Sequence, residues 1–219
     1  MKHSYFALKA SLPMLRFDEA PPVSSEKFLD LCTAFLEPDK MKFIASLKPV
    51  DREIPRLESG RVKISPSLSD DDPETGAVTR YMRWEICLRN TLAQLRAGKL
   101  SIDPEPYLVR FAAYDSSAAA TASEVFSSPG NPMEKERMLD AARWYFLEGM
   151  EWVHPFDFEG LCIYRYKLLL LEKMAERKSP KAAEHLDKAA GAAEKAIYQT
   201  DNGIISKAGV TVPHAGQGE

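Results

Sequence analysis

Apolar positions along this chain recur with a helical period rather than alternating. Phe28, Leu29, Cys32, Phe35 and Leu36 follow one another at helical spacing behind Ser24 and Ser25, either of which can cap a helix, and Val23 is placed to staple onto Phe28. Pro38-Asp39 restarts a short helix through Met41, Ile44 and Leu47. The strongest helical pattern runs from Arg80 to Lys99, with Gly98 as its stop. Asn131-Pro132-Met133-Glu134 supplies an N-cap, a proline at the first helical position and a glutamate at N3. That helix is predicted to run to about Val153 and to stop before His154-Pro155. Another is predicted from Phe158 to Arg177, and Ser179-Pro180 opens an Ala-rich helix ending near Tyr198.

Elsewhere the pattern is weaker. Ser4–Leu12 is short, β-compatible and stopped by Pro13, which predicts an extended segment. Between Ser101 and Ser128, Asp103-Pro104 is a plausible helix start and Ser116–Ser123 is rich in Ser and Ala. From Pro49 to Thr79 the periodicity vanishes: four prolines and the acidic run Asp70-Asp71-Asp72 fill about thirty residues, a length that marks functional or disordered loops. Long capped helices joined by short turns, without alternating strands, predict an all-α helical bundle with a long Pro-rich loop and a short extended N-terminal segment. The corresponding organisation is a single mainly helical domain over 1–200, with the loop at 49–79, and a flexible C-terminal tail over 201–219.

Two helices carry unusual faces. On the Arg80–Lys99 helix, Tyr81, Trp84, Leu88, Leu92 and Leu95 form one apolar stripe, and Met82, Ile86, Ala93 and Ala97 form a second opposite it. Glu85, Arg89 and Arg96 lie between them, and Glu85 and Arg89 are an i,i+4 pair in the favourable order. A charged strip with apolar residues on both sides is either a partner interface or a polar network inside the fold. On the Phe158–Arg177 helix, Lys167 projects from an apolar face of Ile163, Leu170, Leu171 and Met174, while Arg165, Glu172, Lys173 and Glu176 fall on the opposite side, expected to be wet. An ammonium among leucines either snorkels out or finds a carboxylate, and Glu85 is the expected partner. Trp144, Tyr145, Phe146 and Trp152 have core-like spacing; an aromatic pocket is the alternative to ordinary packing.

Composition narrows the classes. The 219 residues are 45% apolar and 28% charged, ordinary for a globular chain. Formal net charge is −3, which gives no global basic field for nucleic acid or an anionic membrane. The local balance is less even, because Arg80–Lys99 sets five basic residues against Glu85 while Asp70–Glu74 is acidic. The apolar run Leu168–Leu171 is far short of the roughly 20 residues that span a bilayer, so no direct membrane insertion is expected. Cys32, Cys87 and Cys162 are an odd, widely spaced set, which points to reduced thiols in a cytoplasmic protein.

No phosphate-binding loop, dinucleotide fingerprint, zinc-protease helix, nucleophile elbow or C-x-x-C motif occurs in the chain. His154, Asp157 and Glu159 are the densest group of possible metal ligands; the favoured reading is a helix-to-helix turn with Asp157 as N-cap and the neighbouring phenylalanines packed beneath. Cys87 and Cys162 sit in apolar helices, a setting for small buried side chains rather than nucleophiles. The expectation is a protein without catalytic residues, cofactor or metal.

Several stretches bear a family resemblance. Tyr5-Phe6-Ala7-Leu8-Lys9-Ala10-Ser11-Leu12-Pro13-Met14-Leu15 and Pro22-Val23-Ser24-Ser25-Glu26-Lys27-Phe28 resemble the start of an uncharacterised bacterial family encoded beside the subunits of V-type (vacuolar/archaeal-type) ATPases. Trp84-Glu85-x-x-Leu88-Arg89-Asn90, followed by Leu95-Arg96-Ala97, is similar to that family's central helix. Phe156-Asp157-Phe158-Glu159-Gly160, with Tyr164 and Lys167-Leu168, is a third match. The resemblance implies a helical protein related to the funnel-like component of the rotary ATPase that couples the central stalk to the membrane ring. It implies a non-catalytic subunit, adaptor or assembly factor whose partners are other ATPase subunits, located in the cytoplasm and peripheral to the inner membrane. The alternative is a free-standing helical module that binds a protein or ligand unrelated to the ATPase.

Overall fold

The computed structural model describes residues 3–48, 76–109 and 114–179. Among them every regular element is helical. In chain order these are α1 (His3–Ser11), α2 (Ser25–Thr33), α3 (Pro38–Ser46), α4 (Gly76–Leu100), α5 (Ser116–Ser127), α6 (Pro132–Glu151) and α7 (Phe158–Arg177), with a 3-10 turn at Glu105–Tyr107. The all-α expectation is therefore met. The chain divides into a compact unit over Met1–Met174 and a second over Ala175–Glu219, of which 175–179 are described. The Ala-rich helix expected to end near Tyr198, the tail from Asp201 and most of the 49–79 loop lie outside the described residues.

Local chemistry explains most boundaries. Ser24 caps α2 by accepting from the Lys27 N–H at 3.2 Å. Pro38 opens α3, and Asn131 and Glu134 complete a capping box on α6, each side chain accepting from the other's backbone N–H at 2.9 Å. Asp115 caps α5 through the Ser117 and Ala118 N–H groups; burial would raise its carboxyl, but the Ser117 hydroxyl first and then these N–H groups hold it below the usual range. Asp103 accepts from the Glu105 N–H and starts only the short 3-10 turn.

Three expectations are corrected. Ser4–Leu12 is not extended: α1 covers it as far as Ser11, built from good helix formers, and inserts the fully buried Leu8 into the core with Tyr5 and Leu12 half-buried beside it. The loop expected to reach Thr79 stops short, because α4 already begins at Gly76. Gly98 does not end α4. The helix continues to Leu100 and closes on Ser101 (φ 54°), with the Ile102 N–H donating to the Ala97 carbonyl and the Ser101 N–H to the Gly98 carbonyl. This is a Schellman cap with serine in the left-handed position that glycine normally fills.

Within the first unit α4 packs against α5 and α6, and α2 against α3. Helix α7 is the hub, buried without interruption from Phe158 through Leu168. Large rings bridge it to the surrounding helices: Phe158 to Tyr5 and Phe43, Tyr164 to Phe28, and Tyr166 to Tyr81. Arg165, expected on a wet face, is buried near Cys32, and desolvation lowers its guanidinium against the opposing pull of Glu172. Glu172 itself accepts from the Ser25 N–H at 2.6 Å and from the Ser25 hydroxyl, tying α7 to the first turn of α2. All three cysteines are buried and free; burial pushes the Cys32 thiol up to about 12 and raises Cys162 further. No helix among the described residues is long and apolar enough to cross a membrane.

Candidate functional site

The turn between α6 and α7 is where polar chemistry and exposed apolar surface meet. Asp157 is the N-cap of α7, as expected, its Oδ1 accepting from the Gly160 N–H at 2.8 Å. Its Oδ2 lies 2.8 Å from His154 Nδ1, and His154 Nε2 lies 3.0 Å from Glu159 Oε2. An imidazole with a carboxylate oxygen at each ring nitrogen is fixed in orientation. Glu159 Oε2 also accepts from the Ala77 N–H at 3.1 Å, so a carboxylate from α7 caps the start of α4 and is stabilised by that helix's positive end. His154, Asp157 and Glu159 thus form a linear hydrogen-bonded chain from α7 to α4. Among the described residues no group of three or more His, Cys, Asp or Glu side chains is arranged to hold a metal ion.

The chain passes close to itself at this turn. A Cβ on Gly160 would stand 2.0 Å from the His154 carbonyl oxygen, so only glycine fits. Lys9 of α1 secures the corner, donating to the Gly160 carbonyl at 3.2 Å and to Glu151 at 2.6 Å. Lys167 donates to the other Glu151 oxygen at 2.8 Å and stands 4.2 Å above the Trp144 ring. Desolvation would raise the Glu151 carboxyl, but hydrogen bonds and charge from Lys167 and Lys9 outweigh it and hold the group low.

The expected pairing of Lys167 with Glu85 is therefore wrong. Lys167 lies with Glu151, and with Glu148 at 3.7 Å, while Glu85 is taken by arginines. Arg143 of α6 donates Nε to Glu85 Oε2 and Nη2 to Glu85 Oε1, both at 2.9 Å, and Nη1 to Asp140 at 2.9 Å. Arg89 adds a 2.7 Å bond to Glu85 Oε1. Of the two readings of the charged strip, the network inside the fold applies to Glu85 and Arg89. Arg96 stands apart on the exposed side of α4, outside that network. Trp84 is buried, stacked on Phe146 with centroids 4.6 Å apart, and donates its indole N–H to Ser117 at 3.2 Å. Burial alone would raise the Glu85 carboxyl; Arg143 first, then Arg89, hold it below the usual range. Burial and the Glu85 charge push the neighbouring Tyr81 hydroxyl well up.

Between the start of α4, the second half of α6 and the α6–α7 turn lies a cleft of about 480 Å³. Tyr145, Phe146, Met150 and Val153 give it apolar walls, Gly149 leaves part of the wall bare, and Arg80, His154 and Glu159 supply its polar groups. The adjoining surface is strongly apolar. Trp152 is 84% exposed, Val153 72%, Tyr145 63%, Phe6 56% and Phe156 48%, and the Phe6 and Phe156 rings touch with centroids 4.6 Å apart. Core packing thus holds for Trp144 but fails for Tyr145 and Trp152, and of the phenylalanines flanking Asp157 only Phe158 is buried. Trp152 is the C-cap of α6, beyond the last full turn whose face points inward.

Sequence reasoning misses Arg143, Asp140, Glu151, Lys9 and Arg80. The i,i+3 pair Asp140 and Arg143, set among Leu139, Trp144 and Leu147, carries a signal of the same kind as Glu85. No protein family, curated protein or solved structure matches the chain.

Proposed function

We propose that this chain is a non-catalytic helical subunit, adaptor or assembly factor of a V-type ion-translocating ATPase, a component on the cytoplasmic side akin to the one that couples the central stalk to the membrane ring. The observation that carries the adaptor reading is the exposed apolar corner of Phe6, Tyr145, Trp152, Val153 and Phe156, four of them aromatic. Large aromatic side chains dominate the energy of protein interfaces, and exposed large apolar side chains grouped around one turn of a globular body mark a contact site. This one stands on a rigid base, since Lys9, Glu151, Asp157 and Gly160 fix the turn that presents it. Rigid presentation lowers the entropic cost of docking. The choice of an ATPase as partner rests on the resemblance carried by the Trp84–Asn90 and Phe156–Gly160 stretches.

The test is native co-purification. A tagged chain expressed at its own level is expected to bring down stalk subunits, identified by mass spectrometry. Trp152→Ser combined with Phe156→Ser should abolish that recovery while leaving the circular dichroism unchanged. Recovery of the chain without ATPase subunits, or equal recovery with the double variant, would overturn the proposal. The cleft beside the aromatic corner favours a second reading, a free-standing module that binds a ligand or partner outside the ATPase.

A further inference from the structure

We infer that the cleft between α4 and α6 binds a small organic anion with a flat apolar body, an aromatic carboxylate. Its volume of about 480 Å³ suits a one- or two-ring molecule, since sites for small ligands span roughly 300–1,000 Å³. The walls are made for an apolar body. Phe146 is immobilised against Trp84 at an interplanar angle of 20°, which gives a flat platform, and Tyr145, Met150 and Val153 surround it. Gly149 is the unusual feature. It interrupts α6 where almost any other residue would be a better helix former, and a Cβ there would meet nothing within 4 Å. The space it leaves is part of the cleft.

Charge selects the ligand's polar end. His154 is held between Asp157 and Glu159, and Glu159 uses Oε2 for both His154 and the Ala77 N–H while its Oε1 stays beside Gly76 at the cleft wall. Arg80 differs: it makes no hydrogen bond or ion pair among the described residues, and its charge acts on the Asp115 carboxyl only as a pull from a distance. Arg80 is an exposed lining residue of the cleft, and a guanidinium offers a planar two-point grip on a carboxylate, whereas it would repel an amine.

Titration of the full chain with indole-3-acetate and benzoate, followed by amide NMR shifts, tests this, with neutral indole as the comparison. Saturable shifts are expected at the Gly149 and Val153 amides. Arg80→Gln should weaken the carboxylates at least about tenfold, about 1.4 kcal/mol, and leave indole unchanged. Gly149→Leu should fill the cleft and abolish binding of all three without lowering the melting temperature. Absence of saturable binding of either carboxylate up to about 10 mM overturns the inference, because such an affinity is too weak to be selected. So does indole binding as tightly as indole-3-acetate, or Gly149→Leu binding like the parent, which would place the ligand elsewhere. None of these readouts depends on an ATPase partner.

Discussion

Replacing Glu85 by glutamine tests how the core is held together. The substitution keeps the shape and removes one charge from a group of four in which Glu85 and Asp140 balance Arg89 and Arg143. Arg143 is 7% exposed and its two bonds to Glu85 are parallel, so an amide leaves one guanidinium N–H facing an NH₂ group. Removing one partner of a buried pair costs about 3–5 kcal/mol, because the other charge stays buried and uncompensated. For a chain of this size that lowers the melting temperature by about 6–20 °C, at roughly 2–4 °C per kcal/mol.

The pH dependence has a definite sign. The folded-state pKa of Glu85 lies below its unfolded reference of 4.5, so its contribution is fully present above that reference and is lost as pH falls through the lower folded value. The gap between parent and Glu85→Gln should accordingly be widest at neutral pH and close in acid. Urea unfolding followed by circular dichroism at several pH values measures both. A loss below about 1 kcal/mol at neutral pH, or a gap that widens in acid, would show that the carboxylate is not what compensates Arg143. Replacing the three buried members together, as Glu85→Leu and Arg143→Met with Asp140→Leu, should cost far less per charge removed than Glu85→Gln alone, since well-packed apolar substitutes often match a buried ionic triad.

Two further outcomes follow from backbone geometry. Ser101→Gly should stabilise the protein by about 1 kcal/mol, by relieving a left-handed serine at the α4 cap; an unchanged or lower melting temperature would refute the strain assigned there. The two glycines bracketing the α6–α7 corner should behave oppositely: Gly160→Ala should cost more than about 2 kcal/mol through the clash with the His154 carbonyl, whereas Gly149→Ala, with open space at its Cβ, should gain about 0.5–1 kcal/mol. Equal effects at the two positions in thermal unfolding would contradict the close backbone approach at Gly160.

What can be read from the sequence divides along physical lines. Helices with their own caps are legible, because Ser24, Pro38 and the Asn131–Glu134 box act within four residues of the boundaries they set. The start of α4 is not. The Glu159 carboxylate of α7 accepts from the Ala77 N–H there, and no local pattern at Gly76 announces a partner from another helix. Helix α1 is legible in principle, since Tyr5, Leu8 and Leu12 keep helical spacing and the segment has no β-branched residue, but it is only 9 residues long, about two and a half turns.

The candidate site shows the same division more sharply. Glu85 is recognisable as a charge among apolar neighbours, yet its partner is not, because Lys167 and Arg143 both rise from apolar helix faces. The discriminating physics is the guanidinium fork: a fully buried carboxylate with two oxygens to satisfy is met by Arg143 in two parallel bonds, while the half-buried Glu151 takes one ammonium on each oxygen, from Lys9 and Lys167. Tyr145 and Trp152 depart from the core-like expectation for a different reason. Spacing fixes which residues share a helix face, but which way that face turns depends on the neighbours, and beyond the C-cap the period has no meaning. Aromatic side chains at a helix end, next to a turn that tolerates only Gly160, are therefore where a core-like pattern and an exposed contact surface are hardest to separate from sequence, and where this chain places both its cleft and its apolar corner.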